Sequence, residues 1–245
     1  NRRPTVAAVG DPARFVASLA PLLGAAGPAR WNQWLETLRA RDDERAAEIA
    51  RLAAATTEHV NPLDLCRAID AVMPDDSVIV ADGGDFVGTA AYIVSPRRPL
   101  SWLDPGPFGT LGVGAGFALG AKLCRPQAEV WLLYGDGSAA FSLAEFDTFV
   151  RHGLPVIAVV GNDGAWTQIA RGQVEMLHDD VATTLRRTDY HRVAEGYGGK
   201  GLKITRPEEV ATVLREAQAI ARSGSPVLVN ALIGRTDFRA GSISI

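Results

Sequence analysis

Short apolar runs rich in β-branched residues recur along the chain: "TVAAVG", "DSVIVADGG", "AEVWLLYGDG", "LPVIAVVGND" and "SPVLVNALIG". The middle three end in clusters of Gly, Asp and Asn, the pattern of buried strands that stop at polar turns. Between the runs, the spacing of apolar positions predicts helices over residues 61–73, 110–122, 142–152 and 206–223, the first opened by Asn61 and Pro62 as N-cap and first turn. Strands alternating with helices predict an α/β fold, a doubly wound parallel sheet with helices on both faces. Ligands of such sheets bind beyond the carboxyl ends of the strands. "DGGD", "YGDGS" and "GNDGAW" all fall at that edge, so one polar site is expected there.

The first 56 residues read differently. "PTVAAVGDPARFVASLAPLLG" predicts one strand and one helix with no partner strands, followed by the Gly/Ala/Pro stretch "GAAGPA". "WNQWLETLRARDDERAAEIARLAA" predicts a charged amphipathic helix whose apolar face is carried by Trp31, Trp34, Leu35, Leu38, Ile49 and Leu52. Boundaries are therefore expected near residues 30 and 56. This gives a tail of a truncated central domain over 1–30, a linker helix over 31–56 and the main domain over 57–245.

Composition narrows the classes of function. Of the 245 residues 47% are hydrophobic and 22% charged, enough apolar material for a packed core. A net charge of −3, with basic residues scattered through an acidic background, offers no footprint for nucleic acid. The longest uncharged stretch, residues 105–121, is 17 residues with six glycines, short of the roughly 20 apolar residues of a membrane span. No secretory apolar region follows "NRRPTV", so the cytosol is the expected location. Cys66 and Cys124 lack any metal or redox spacing and are expected to be buried, reduced thiols.

The two polar turns carry the chemistry. Gly135 and Gly137 let the backbone approach a ligand closely, and Ser138 leads into a helix whose free N–H groups favour an anion. A carboxylate oxygen from Asp136, a carboxamide oxygen from Asn162 and a backbone carbonyl two residues later form an all-oxygen set suited to Mg²⁺ or Ca²⁺ rather than zinc. Because Mg²⁺ keeps company with phosphate oxygens, the natural ligand is a diphosphate bridged by the ion. A P-loop is absent, and "GTLGVGAGFALG" never satisfies GxGxxG or GxGxxA, which argues against a nicotinamide dehydrogenase.

"GDGSAAFSLAEFDTFVRHGLPVIAVVGNDGAW" resembles the thiamine-diphosphate motif, GDG followed after about two dozen residues by NN, of the acetolactate synthase and pyruvate decarboxylase superfamily. Together with "WLDPGPFGTLGVGAGFALGAKL" and "IGRTDFRAGSISI" it is most similar to the acetolactate-synthase-like branch that includes 2-hydroxyacyl-CoA lyases. The resemblance implies the thiamine-diphosphate-binding fold and two cofactors, thiamine diphosphate and Mg²⁺. Asp136 and Asn162 match side-chain metal ligands, and Gly164 the residue whose carbonyl completes the protein set. Gly137 and Ser138 match diphosphate contacts, with Gly84 and Asp85 approaching from the other side and Ala165 a further cofactor-binding position. Gly109 matches a carbonyl that accepts from the cofactor's 4'-amino group, Leu111 the apolar wedge that bends the cofactor, and Trp166 to Gln168 the lining of the substrate pocket.

Two departures stand out. Gly161 replaces the first Asn of the NN pair, while the ligand position, the second, is kept. Asp85 stands where relatives carry an amide or His, and an acid there must accept from a hydroxyl or N–H to tolerate a diphosphate. The resemblance also implies that the glutamate activating the aminopyrimidine lies on a pyrimidine-binding domain outside this chain, so no catalytic residue is assigned within it. His59, His152, His178 and His191 are unclustered and expected to be structural, "LHDD" a solvated acidic segment, Trp102 and Trp131 core residues of strands, and Arg235 and Arg239 surface arginines.

The implied activity is a thiamine-diphosphate- and Mg²⁺-dependent C–C lyase or synthase acting on a 2-oxo acid, aldehyde or acyl-CoA, in a homodimer or homotetramer. Decarboxylation of a 2-oxo acid or an oxalyl-CoA-type substrate is the alternative. A non-catalytic cofactor-binding module or subunit lacking its pyrimidine domain is the alternative of another class.

Overall fold

Strand β1 (Val78–Asp82) pairs with β2 (Trp102–Leu103) on one side and β3 (Val130–Gly135) on the other, and β3 continues through β4 (Val156–Asn162) and β6 (Val227–Leu232) to β5 (Lys200–Ile204). All five pairings are parallel. These strands are seen in a computed structural model that describes residues 3–23 and 31–241. The chain divides into two compact units, Asn1–Glu48 and Ile49–Ile245, and the sheet belongs to the second.

Alternate side chains of the strands face two cores. Ile79, Ala81, Trp131, Leu133, Ile157, Val159 and Val229 pack with helices α3 (Pro62–Val72), α4 (Asp85–Ile93) and α10 (Val210–Arg222). Val78, Val80, Leu132, Tyr134, Val156, Ala158 and Val160 pack with α5 (Gly114–Cys124), α6 (Asp136–Ser142), α7 (Glu145–Arg151) and α9 (Tyr190–Gly196). Burial on both faces explains why the central strands read as continuous apolar runs. It also places a switch point: the chain leaves β1 for α4 on one face and leaves β3 for α6 on the other, opening a crevice between their carboxyl ends.

The doubly wound α/β architecture is as the patterning implies, with local differences that have physical causes. Thr5 to Gly10 forms no strand among the described residues. A lone extended segment has no neighbour for its N–H and C=O groups, and these residues stay exposed ahead of α1 (Pro12–Leu19), which Asp11 caps by accepting from the Arg14 N–H at 2.9 Å. The charged helix forms as α2 (Asn32–Ala53). Residues 110–113 stay out of α5, because Gly112 has φ +88° and its N–H is drawn to Asp82. The helix expected over 142–152 forms as α7, and a separate short helix, α6, precedes it, starting directly at Asp136. Strand β5 escapes the pattern because it is an edge strand with Lys200 and Lys203 exposed.

Cys66 is buried, which pushes its thiol pKa up, but Cys124 is exposed at the end of α5, against the expectation for both. Trp131 is fully buried, whereas Trp102 is half-buried at the edge of the sheet and donates from its indole to Asp104. Trp131→Ala is expected to cost about 3–5 kcal/mol in urea denaturation, and Trp102→Ala clearly less; equal losses would contradict this assignment of burial.

Candidate functional site

The crevice between β1 and β3 opens into a cavity of about 520 Å³. Gly83 to Phe86 form one wall, Gly135 to Ser138 another, and Gly109, Leu111, Ala165, Trp166 and Gln168 complete it. These include Gly84, Asp85, Gly137 and Ser138, so the cofactor-binding and substrate candidates chosen from the sequence share one space except Asn162, which like the metal candidate Gly164 does not line it; Gly164 lines a neighbouring hollow with Arg187 and Arg235.

Its narrowest point is backbone on backbone. Gly83 has φ +147°, and a Cβ there would lie 2.6 Å from the Gly135 nitrogen, so only glycine fits. Ser138 ties the same two loops together: its hydroxyl donates to the Asp82 carbonyl at 2.5 Å, with the Gly135 carbonyl at 3.0 Å. That proton is thus committed within the fold, and the residue offers the cavity its backbone N–H and hydroxyl lone pairs. A Cβ on Gly137 would collide with the Trp166 ring, which lies over the start of α6. A Cβ on Gly161 would enter the Phe86 ring, the physical reason for the missing first Asn of the expected pair.

The strand register brings the metal candidates together, since Gly135 pairs with Gly161 and so sets Asp136 beside Asn162. Asp136 is buried, accepting from its neighbour Gly137 N–H and from Gly164 N–H, both at 2.8 Å. Burial first, and then the nearby Asp163 carboxylate, push its pKa up to about 7. Asp163 is also raised, chiefly by burial, although the Thr167 hydroxyl donates to it. Two adjacent acids short of compensation are an environment that a cation relieves.

Asn162 is fully buried. Its Nδ2 donates to the Thr188 carbonyl at 3.0 Å and to Asn230 Oδ1 at 3.1 Å, while its Oδ1 is buried without any partner. A buried acceptor left empty costs about 1–3 kcal/mol unless something fills it, and a cation beside Asp136 would. The Gly164 carbonyl already accepts from Leu185 N–H at 2.8 Å, which leaves one lone pair for a ligand. Among the described residues no three His, Cys, Asp or Glu side chains gather as a metal cluster, so a cation here must use this mixed oxygen set. The residues present fit one hard divalent ion.

Several supporting residues carry no signal in the sequence. Asp85 is neutralised by Arg171, which pairs with both its oxygens and donates to the Thr236 carbonyl at 3.2 Å. Asp82, fully buried, accepts from Gly114 N–H at 2.7 Å and Gly112 N–H at 3.1 Å, thereby holding the turn that carries Gly109 and Leu111. Residues 183–188 strap the metal turn from outside, through Trp166 N–H to Thr183, Leu185 N–H to Gly164, and Asn162 Nδ2 to Thr188. Arg187 adds a bond to the Asn162 carbonyl at 2.7 Å. Arg239 is half-buried rather than a surface residue: it lines the cavity and donates to the Gly88 carbonyl at 3.1 Å, whereas Arg235 is exposed. His178, Asp179 and Asp180 are exposed, and the four histidines do not converge on the cavity.

A family model described as "Thiamine pyrophosphate enzyme, C-terminal TPP binding domain" matches residues 82–231. The chain belongs to the thiamine pyrophosphate enzymes. Within this family it is 53% identical over 246 residues to "2-hydroxyacyl-CoA lyase 2" of Danio rerio, and equally to that of Homo sapiens, covering 99% of this chain and 39% of each relative. It is 37% identical over 239 residues to "Acetolactate synthase large subunit IlvG" of Mycobacterium tuberculosis, covering 95% of this chain and 42% of that one. The chain thus spans about two fifths of the length of these relatives. The structure of a Rhodococcus jostii RHA1 thiamine diphosphate-dependent 4-hydroxybenzoylformate decarboxylase aligns with a TM-score of 0.67 at 24% identity, over 75% of this chain and 34% of that one, which shows the shared fold. No helix among the described residues is long and apolar enough to cross a membrane.

Two substitutions check the geometry of this thiamine pyrophosphate domain. Gly161→Ala should overpack the site by about 1–3 kcal/mol, and the loss should shrink in a Phe86→Leu background; additive effects in the double-mutant cycle would show that the ring is not the obstacle. Asp82→Asn replaces one of the two accepting oxygens by a donor and removes the charge, and should cost about 1–3 kcal/mol, with faster hydrogen exchange at Gly112 and Gly114. Unchanged exchange there would contradict its role in holding the turn.

Proposed function

We propose that this chain is the diphosphate- and Mg²⁺-holding part of a thiamine-diphosphate-dependent C–C lyase acting on 2-hydroxyacyl-CoA substrates. The observation that carries the site is the junction of Asp136, Asn162 and Gly164 with the empty Oδ1 acceptor of Asn162. The substrate class is supported by identity of 50–53% over nearly the whole chain to relatives named 2-hydroxyacyl-CoA lyase 2, against 37% for acetolactate synthases.

Asp136, Asn162 and the Gly164 carbonyl would hold the cation, and the cation the diphosphate. Backbone groups at Gly84 and Gly137 would flank that diphosphate, with Asp85 kept from repelling it by Arg171. When bound, thiamine diphosphate supplies carbonyl addition and an electron sink for cleaving or forming a C–C bond. Leu111 and Gly109 also line the cavity and would orient the cofactor's aminopyrimidine, the one by its apolar side chain and the other by its backbone carbonyl. Trp166 and Gln168 would line the substrate side. The activating glutamate would come from a pyrimidine-binding domain, and a site made between domains favours a dimer or tetramer.

Isothermal titration of the full-length protein should show thiamine diphosphate binding that requires Mg²⁺, and Asp136→Ala should weaken it by at least about tenfold, as loss of a direct ligand does. Absence of binding would overturn the cofactor site. Cleavage of a 2-hydroxyacyl-CoA is the expected turnover. Condensation of pyruvate instead would move the reading to acetolactate-type synthesis, decarboxylation of a 2-oxo acid to a decarboxylase, and binding without turnover to a non-catalytic module.

A further inference from the structure

We propose that Asn230 is a positioning residue for the cation: it holds the Asn162 carboxamide so that its oxygen, rather than its nitrogen, is left for the metal. The inference rests on the reading of Asp136, Asn162 and Gly164 as a divalent-cation site.

The orientation of both amides follows from one fixed point. A backbone carbonyl can only accept, and the Thr188 carbonyl faces a terminal atom of Asn162 and one of Asn230, each at 3.0 Å. Both atoms must therefore be Nδ2. With its nitrogen so placed, Asn230 turns Oδ1 to the second hydrogen of Asn162 Nδ2 at 3.1 Å. Both hydrogens of the Asn162 amide are then spent, and the remaining atom, Oδ1, is the one without a partner. The other hydrogen of Asn230 is turned to His191 Nδ1, with 3.5 Å between the two nitrogens, a distant contact that suits a ring protonated on Nε2.

The fold makes this arrangement rigid. Asn230 sits at 0% exposure in the middle of β6, where it pairs in register with Val160 of β4, two residues before Asn162 and on the same face. An uncharged polar residue among Val227, Leu228, Val229 and Ala231 on a buried strand is costly unless its hydrogen bonds are made, and here the partner it serves is Asn162. Without the acceptor at Asn230, one N–H of Asn162 is unsatisfied and the Thr188 carbonyl alone holds the amide, which then presents its nitrogen to the cation for part of the time. Residues that orient a ligand in this way typically contribute 10- to 100-fold in metal affinity.

The test is the Mg²⁺ concentration that half-saturates thiamine diphosphate binding by the full-length protein, read by titration calorimetry rather than by turnover. Asn230→Ala should raise it by about 10- to 100-fold, with thiamine diphosphate affinity at saturating Mg²⁺ unchanged. Asn230→Thr, a residue suited to a strand whose hydroxyl falls short of Asn162, replaces the Ala variant should that fail to fold, and the same loss is expected. An unchanged midpoint in the Ala or Thr variant, or a loss of cofactor affinity that saturating Mg²⁺ does not restore, would each overturn the proposal. A wild-type protein that binds thiamine diphosphate without any divalent cation would instead overturn the cation site itself.

Discussion

The site depends on how closely two backbones pass at the carboxyl ends of β1 and β3. Gly83 lies so near the Gly135 nitrogen that no side chain fits between them, and the Ser138 hydroxyl closes the gap by bonding the Asp82 carbonyl. The two chains then part to opposite faces of the sheet, one into α4 and one into α6. Their closeness at the root and divergence above it produce the cavity and set Gly84 and Asp85 opposite Gly137 and Ser138. A bulkier residue at position 83 would separate walls that must reach the same ligand.

A parallel sheet that ends its strands in acids gathers negative charge at one edge, and each acid here is managed differently. Asp82 accepts from the N–H groups of Gly112 and Gly114, which makes it a clamp for the turn holding Leu111, although burial still holds its pKa above the usual carboxylate range. Asp85 is paired with Arg171. The Asp163 carboxylate raises Asp136, and both acids are raised first by burial and receive local N–H and hydroxyl donors, so poorly compensated charge is concentrated where the proposed cation would sit. Asp82 and Asp85 are thus committed to a turn and to an arginine, which leaves Asp136, beside Asp163, as the acid for the proposed cation.

Much of this was legible in the residues. Runs such as "VWLLYGDG" and "VIAVVGND" announce buried strands ending in polar turns, and the spacing of Asp136 and Asn162 announces an oxygen site, because both signals are local. What stayed hidden is held by long-range contacts with no pattern of their own. Asn230 reads as one polar residue inside "VLVNALI", and its role depends on a register with β4 set 68 positions apart by the fold. The strap over 183–188 and the Arg171 bond to Asp85, 86 positions apart, are hidden for the same reason. The edge strand β5, with its exposed lysines, lacks the apolar alternation that would mark it. Asp82 looked like part of a ligand-facing turn, but a carboxylate at a strand end can serve the neighbouring turn equally well, and only the fold shows which.

The choice of an amide at position 162 follows from the charge around it. Asp136 already lies beside Asp163, and a third carboxylate among them would raise all three and hold protons where a cation should bind. A carboxamide supplies the oxygen without the charge. Its disadvantage is that it presents nitrogen as readily as oxygen, and a misplaced NH₂ would face the cation with a donor. A carboxylate needs no such guidance, since both its oxygens are equivalent; Asp136 accordingly is held by nearby N–H groups alone, while Asn162 requires the Thr188 carbonyl and a second asparagine. The buried polar network behind β4 and β6 is thus the cost of keeping residue 162 neutral in the proposed cation site.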